Sequence, residues 1–121
     1  MQKHKRINSK RKGAEGERDF ANELRKHGFE GARRGVQYAG SPDSPDVVGV
    51  EGIHFEVKRT ERTDIYGWME QAQRDCGENI PVVGFRKNGE KWVVILTLDD
   101  FCERFLKNDG FFSGQIHHAD S

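Results

Sequence analysis

The chain has 121 residues, of which 34% are hydrophobic and 33% are charged, and its mean hydropathy is -0.86. This length suits one compact domain, and no second domain is expected. The longest apolar runs have only a few residues, as in 92–96, so the sequence predicts no membrane-spanning helix. Because no apolar stretch follows the basic N-terminus, we expect no secretory signal and a soluble, cytoplasmic protein.

Positive and negative charges cancel over the whole chain but are unevenly distributed. Residues 1–12 contain six Lys or Arg side chains and no acid, whereas residues 13–121 contain 14 basic and 20 acidic side chains. A basic arm on an acidic body is common in nucleic-acid-binding proteins, although a solubilising tail has the same composition. We predict a flexible basic arm over 1–12, a folded domain over 13–107 and a polar C-terminal tail over 108–121.

The first predicted helix, over residues 13–27, carries an acid on its apolar side. Glu17 precedes Phe20, Ala21 and Leu24 by three, four and seven residues, so it lies on the stripe that faces the core. An unpaired buried carboxylate is costly. Glu17 therefore needs either a salt bridge to a neighbouring Arg or Lys, or a role in a catalytic cleft.

Short strands are predicted to follow the helix. Residues 31–40 are predicted to contain a short first strand, although the glycines among them disfavour one. Ser and Pro residues predict a loop over 41–45. Residues 46–49 and 53–58 then read as a hairpin. A three-residue loop that ends in Gly52 suits it, because this position usually requires a positive φ.

The length of this hairpin loop decides which side chains meet. A three-residue loop sets Asp46 opposite Glu56, and since side chains alternate along a strand, Asp46, Glu56 and Lys58 then share one face. A two-residue loop would set Asp46 opposite Val57 and separate the two carboxylates. We predict the three-residue loop.

The second half of the chain is predicted to form a helix over 64–76, a hairpin of 81–85 with 91–96 across Asn88-Gly89, and a last helix that begins near Thr97. The order of elements predicts an α/β sandwich around a mixed sheet. Neither cysteine has zinc-ligand spacing, so both are expected to be small buried hydrophobes. The side chains predicted to point inward from the two helices are Ile65, Trp68, Met69, Ala72, Cys76, Leu98, Phe101, Cys102, Phe105 and Leu106.

The shared face of the first hairpin has a definite chemistry. Two adjacent carboxylates such as Asp46 and Glu56 repel each other unless a cation lies between them. Mg²⁺ prefers hard oxygen ligands, lowers the pKa of bound water and stabilises charge on a phosphate under attack. Lys58 could then polarise the attacking water or neutralise the phosphate, and Glu17 would complete the acidic cluster. The alternative is a cross-strand network of Asp, Glu and Lys on a solvated sheet face.

Motifs that surround these residues extend over roughly residues 12 to 106 and occur in a specific order. They are Lys12-Gly13, Glu17-Arg18, Gly28-Phe29, Arg33-Arg34, Gly40-Ser41, Ser44-Pro45-Asp46-Val47-Val48, Phe55-Glu56-Val57-Lys58-Arg59, Trp68, Gln71-Ala72, Pro81-Val82-Val83, Lys87-Asn88, Trp92 and Leu98-Asp99-Asp100-Phe101. In these motifs the chain resembles the PD-(D/E)XK nuclease superfamily. It resembles most closely the small Holliday junction resolvases of the archaeal and phage type.

The resemblance implies a restriction-endonuclease-like core, with a mixed central β-sheet flanked by helices, over residues 13–107. It also implies metal-dependent phosphodiester hydrolysis with Mg²⁺, for which Mn²⁺ is a possible substitute. By motif position, Asp46 and Glu56 would be metal ligands and Lys58 the catalytic lysine. Glu17 would be the helix-borne acid and a further metal ligand.

Further site residues follow from the same resemblance. Gln71 matches a catalytic glutamine that some members carry on the helix after the Glu-x-Lys strand, with Gln73 as its rival. Asp43 is a weaker candidate than Asp46, because it precedes the strand. Ser41 matches a loop serine close to the scissile strand. The basic side chains expected to contact DNA phosphates are Lys10, Arg11, Lys12, Arg33, Arg34, Arg59 and Lys87.

The function implied is that of an endodeoxyribonuclease that cleaves branched DNA, above all four-way junctions. Such resolvases are homodimers, since the two symmetric strands of a junction require two sites. Two alternatives stay open. One is another nuclease of the superfamily, such as a flap, nicking or DNA-processing enzyme, and the other is a catalytically inert DNA-binding module.

Overall fold

The computed structural model describes residues 2–35 and 44–108, and for residues 2–12 it describes the backbone alone. No helix within these ranges is long and apolar enough to cross a membrane. The elements in chain order are α1 (Gln2–Lys26), β1 (Arg33–Arg34), β2 (Val47–Val48), β3 (Ile53–Arg59), α2 (Ile65–Asp75), β4 (Ile80–Arg86), β5 (Val93–Ile95) and α3 (Leu98–Asp100), followed by a π-helical segment (Phe101–Leu106).

The five strands form one mixed sheet in the order β1-β2-β3-β4-β5. Only β3 and β4 are parallel. A parallel pair requires a crossover connection, which α2 supplies. The predicted α/β fold with a mixed central sheet flanked by helices is therefore confirmed, and it is consistent with a restriction-endonuclease-like core.

The helices α1 and α2 cover opposite faces of the sheet. Phe20 of α1 belongs to a buried cluster with Val82, whereas Trp68 of α2 packs with Val83. Neighbouring residues of one strand point to opposite faces, so β4 places a core on each side of the sheet. Both faces of β3, the neighbour of β4, are thereby shielded from water.

The hairpin of β2 and β3 has the predicted register. Val47 lies opposite Phe55, and one residue further this register sets Asp46 opposite Glu56. Gly52 ends the three-residue loop with φ at +86°, the left-handed conformation that the loop was predicted to need. The predicted three-residue loop is thus confirmed, and with it the register that sets Asp46 opposite Glu56.

Three elements differ in extent from the predictions. The helix predicted over 13–27 begins at Gln2, so the segment predicted as a separate basic arm continues α1. Lys, Arg and Gln are good helix formers, and charge alone was no argument against a helix there. The strands β1 and β5 are short, with two and three residues. The predicted strand positions 36–40 and the tail from residue 109 onward lie outside the described residues.

The inward stripe predicted for the last helix is wrong at Leu98 and Leu106, whose exposed fractions are 73% and 60%. The prediction assumed the 3.6-residue period of an α-helix. From Phe101 onward the segment is π-helical, and Lys107 N–H donates to the carbonyl of Cys102 at five-residue spacing, which changes the direction of side chains such as Leu106. Leu98 precedes this segment and is the first residue of α3, directly after the cap Thr97. Ile65 and Phe101, also predicted inward, are exposed.

Both cysteines are half-buried rather than buried as predicted. Cys76 is the C-terminal cap of α2, and Cys102 lies in the π-helical segment, so neither faces the middle of a helix–sheet interface. Both thiols are free. The interface itself is formed by Trp68, Met69 and Ala72, which are buried as predicted.

Close packing of α1 on β4 predicts a large effect of a small substitution. A Cβ atom at Gly84 would lie 2.6 Å from the ring of Phe20, and that ring is wedged at 5.1 Å between the rings of Phe55 and Trp92. Gly84→Ala should lower the free energy of unfolding by about 1–3 kcal/mol, measured by urea denaturation. The matched control is Gly13→Ala, where a Cβ meets nothing within 4 Å. It should leave stability unchanged or raise it by about 0.5–1 kcal/mol. Equal stability of the two variants would contradict the packing argument.

Candidate active site

The candidate site lies where β3 extends beyond its short partner. β2 pairs with β3 only at Val47 and Phe55, whereas β3 continues to Arg59. Asp46, which directly precedes β2, therefore lies beside a stretch of β3 that is paired with β4 but has no strand partner on the side of β2. Its Oδ2 atom accepts a hydrogen bond of 2.8 Å from the backbone N–H of Val57. The carboxylate replaces a strand partner and is held against β3.

The surroundings of Asp46 bring the predicted acidic cluster together. The pKa of Asp46 is raised from its ordinary value of 3.8 to about 6, chiefly by burial and also by repulsion from Glu56 and Glu17, while the hydrogen bond from Val57 and the charge of Lys58 lower it. Three other predicted site residues thus lie close enough to Asp46 to act on its charge. A carboxylate with a raised pKa beside two other acids is a group that a cation would stabilise.

Glu56 is buried and hydrogen-bonded to a residue that the sequence analysis did not single out. His54 Nε2 lies 2.7 Å from Glu56 Oε2, and the two side chains are only 3% and 4% exposed. Residues two apart on a strand share a face, so the His-x-Glu spacing was a signal that could have predicted this pair.

Lys58 is held by the second helix. Its Nζ donates a hydrogen bond of 3.1 Å to Oε1 of Gln71 on α2. Gln73, the rival glutamine, is exposed. The structure therefore places Gln71 at the site, and it does not bring Gln73 there.

Glu17 has the salt bridge that was one of its two predicted roles. Its Oε1 accepts a hydrogen bond of 2.9 Å from Arg34 Nε on β1, and the Glu17 side chain is 21% exposed. Because Glu17 also raises the pKa of Asp46, it lies near the acidic cluster as well. Arg34, which was predicted to contact phosphate, is thus paired with the carboxylate of Glu17.

The remaining predicted DNA contacts differ in their surroundings. Arg59 Nη2 donates to Asn88 Oδ1 at 2.6 Å, and its Nη1 lies 3.7 Å from a carboxylate oxygen of Glu61. Arg33 is exposed, and its Nη1 donates to the carbonyl of Gly31. Lys87 is half-buried. The side chains of Lys10, Arg11 and Lys12, together with Ser41 and Asp43, lie outside the described residues.

Comparison with protein families identifies the chain. A family model described as "Phage putative PDDEXK endonuclease" matches residues 8–118. The chain belongs to this family. Membership confirms the predicted PD-(D/E)XK superfamily, and it identifies an endonuclease. Neither the comparison with curated proteins nor that with solved structures gave a match.

The donor atoms of this PDDEXK endonuclease suit a hard divalent cation. Among the described residues, no group of three or more His, Cys, Asp or Glu side chains is arranged to hold a metal by itself. Mg²⁺ does not need one, since one or two carboxylates usually bind it together with water and substrate phosphate. Hydrogen bonds hold Asp46 through Oδ2 and Glu56 through Oε2, so each carboxylate has a second oxygen that would be able to bind a cation.

The raised pKa of Asp46 predicts a pH-dependent cost to stability in the metal-free endonuclease. The folded-state pKa of about 6 exceeds the ordinary value of 3.8, so between these values the folded chain binds more protons than the unfolded chain. The free energy of unfolding therefore falls as the pH rises through this window. Asp46→Asn keeps an acceptor for Val57 but removes the charge. It should raise the free energy of unfolding at pH 8 by about 1–3 kcal/mol, and change it little at pH 4.

Urea denaturation in EDTA at pH 4 and pH 8 measures this effect. The control is Glu70→Gln, which neutralises an exposed acid on α2 and should change stability little at either pH. A stabilisation of the Asp46 variant that is equal at the two pH values would contradict the assignment of the raised pKa.

Proposed function

We propose that this endonuclease is Mg²⁺-dependent, with Mn²⁺ as a possible substitute, and that it cleaves branched DNA, above all four-way junctions. The observation that carries the proposal is the assembly of Asp46, Glu56 and Lys58 where β3 extends beyond its pairing with β2. Carboxylates bind Mg²⁺ and a cationic side chain stabilises charge on a phosphate, so these three groups suit metal-dependent phosphodiester hydrolysis. The resemblance to small junction resolvases over residues 12–106 supports the choice of substrate.

Asp46 and Glu56 would hold the metal ion, and the acid of Glu17 adds negative charge beside them. A bound Mg²⁺ supplies activation of water and stabilisation of the charge that builds on the scissile phosphate. The protein holds Asp46 through Val57 and Glu56 through His54 before the ion arrives. The repulsion that raises the pKa of Asp46 is relieved by the same ion.

Lys58 acts on the phosphate as a donor and a positive charge. A lysine side chain is flexible, and ordering it has an entropic cost. Its hydrogen bond to Gln71 restricts the ammonium group to the site before DNA binds. Gln71 is in this proposal a positioning residue, whereas Lys58 contacts the reacting phosphate.

DNA is bound by basic side chains around the site. Arg59 follows Lys58 directly, and Arg33 is exposed next to the Arg34 that Glu17 holds. Lys87 lies on the β4–β5 turn beside Asn88, which binds Arg59. We propose that Lys10, Arg11, Lys12 and Ser41 also contact DNA. Because a four-way junction offers two equivalent strands, we propose that two copies of the chain act as a homodimer with twofold symmetry.

The deciding experiment compares cleavage of a four-way junction with cleavage of a linear duplex built from the same arms, in Mg²⁺. We expect paired symmetric nicks in the junction alone, and none with Glu56→Ala or in EDTA. Equal cutting of both substrates would overturn the junction preference and favour another DNA-processing nuclease, such as a flap or nicking enzyme. Tight binding of the junction without cleavage in Mg²⁺ or Mn²⁺ would instead favour an inert DNA-binding module.

The contact between Lys58 and Gln71 predicts a difference between two glutamines on one helix. Gln71→Ala removes the acceptor that holds the ammonium group, and it should lower kcat by about 10-fold, a modest share of the roughly 100-fold or greater effect that a catalytic group supplies. Gln73→Ala is the matched control, since the same change is made at an exposed position two residues away. Single-turnover cleavage of the preferred DNA measures both. Equal rates for the two variants would contradict a role for Gln71.

A further inference from the structure

The strand β3 carries three polar side chains in succession on the face that α2 covers. They are His54, Glu56 and Lys58, and the first two are almost completely removed from water. A buried carboxylate is costly unless its oxygens accept hydrogen bonds. His54 supplies that hydrogen bond to Glu56 at 2.7 Å. The pair therefore explains how Glu56 can be buried on the strand at all.

The proposed metal site fixes the direction of this hydrogen bond. As a metal ligand Glu56 would be ionised, and an ionised carboxylate only accepts, so Nε2 of His54 would carry the proton and donate to Oε2 of Glu56. A length of 2.7 Å is typical of a hydrogen bond to a charged acceptor. A nitrogen that carries a proton cannot bind a metal ion. His54 thus contacts Glu56, a proposed metal ligand, through Nε2, and this nitrogen is not available to bind the metal itself.

We infer that His54 is a positioning residue for the metal site. It fixes the carboxylate of Glu56 through Oε2, and Glu56 and Asp46 would together hold the ion; this inference deepens the proposed function and rests on it. Removal of a residue that hydrogen-bonds to a metal-binding carboxylate typically lowers metal affinity by about 10–100-fold. The burial of both side chains restricts the ring and the carboxylate to one arrangement.

The test measures Mn²⁺ binding to the full chain by electron paramagnetic resonance, without DNA. His54→Leu removes the donor but fills the space, and it should weaken Mn²⁺ binding by about 10–100-fold. His54→Gln can present its amide Nε2–H to the same oxygen and should stay within about threefold of the wild type. His54→Asn is shorter and should behave as His54→Leu, which keeps the test valid if the leucine variant fails to fold.

Loss of stability alone is controlled by Ile80→Val, which trims a fully buried side chain at the start of β4, away from Glu56. This variant should bind Mn²⁺ as the wild type does, although thermal unfolding shows it destabilised. In cleavage assays, His54→Leu should raise the Mg²⁺ concentration for half-maximal rate and recover most of kcat at saturating Mg²⁺. An effect on kcat alone would overturn the inference.

Glu56→Ala separates failure of this inference from failure of the proposed function. Mn²⁺ binding that is unchanged in Glu56→Ala would overturn the proposed metal site, and with it the role of His54. If Glu56→Ala loses the ion while His54→Leu binds it within threefold of the wild type, the metal site stands and the inference about His54 fails. Binding by His54→Gln as weak as that of His54→Leu would also overturn the inference, because the donor would not explain the effect.

Discussion

The hydrogen bond from the backbone of Val57 to the carboxylate of Asp46 is the interaction on which the site depends. It occurs because pairing of β2 with β3 begins only at Val47, so the N–H of Val57 on β3 has no strand acceptor on that side and needs another one. A carboxylate satisfies that donor and is simultaneously placed beside Glu56. One backbone requirement of the sheet thereby sets the position of an acidic group that the chemistry needs.

The acidic cluster is stable because hydrophobic packing elsewhere offsets its cost. Burial and mutual repulsion disfavour the ionised form of Asp46, as its raised pKa shows. The compensation comes from the cores on the two sheet faces, one around Phe20 and the other around Trp68. Functional sites commonly carry such unfavourable electrostatics, at a cost that the rest of the fold must exceed.

Each charged group at the site has a partner that orients it. Glu56 is held by His54, Lys58 by Gln71 and Glu17 by Arg34. These partners come from three different elements of the fold, and Glu17 itself lies on α1. The geometry of the site therefore depends on the packing of both α1 and α2 against β3. Membership of the PDDEXK endonuclease family assigns the class of reaction, whereas the form of DNA that is cut depends on surfaces around this centre.

Much of the site was predictable from local rules. The glycine at the end of a three-residue loop decided the register, and the alternation of side chains then brought Asp46, Glu56 and Lys58 to one face. Local rules failed at Leu106, where the five-residue spacing of the π-helical segment replaces the α-helical period. The first helix also begins earlier than the predicted residue 13, at Gln2.

The sequence by itself determined the mixed α/β fold, the family and the identity of the acidic and basic groups, because motif order and strand periodicity are properties of neighbouring residues. Only the tertiary structure decided the partners: Arg34 for Glu17, Gln71 rather than Gln73 for Lys58, and His54 for Glu56. The first two pairs join residues that are distant in the chain. In the third pair the His-x-Glu spacing places both side chains on one face, but the burial that makes their hydrogen bond necessary comes from the packing of α2 over β3.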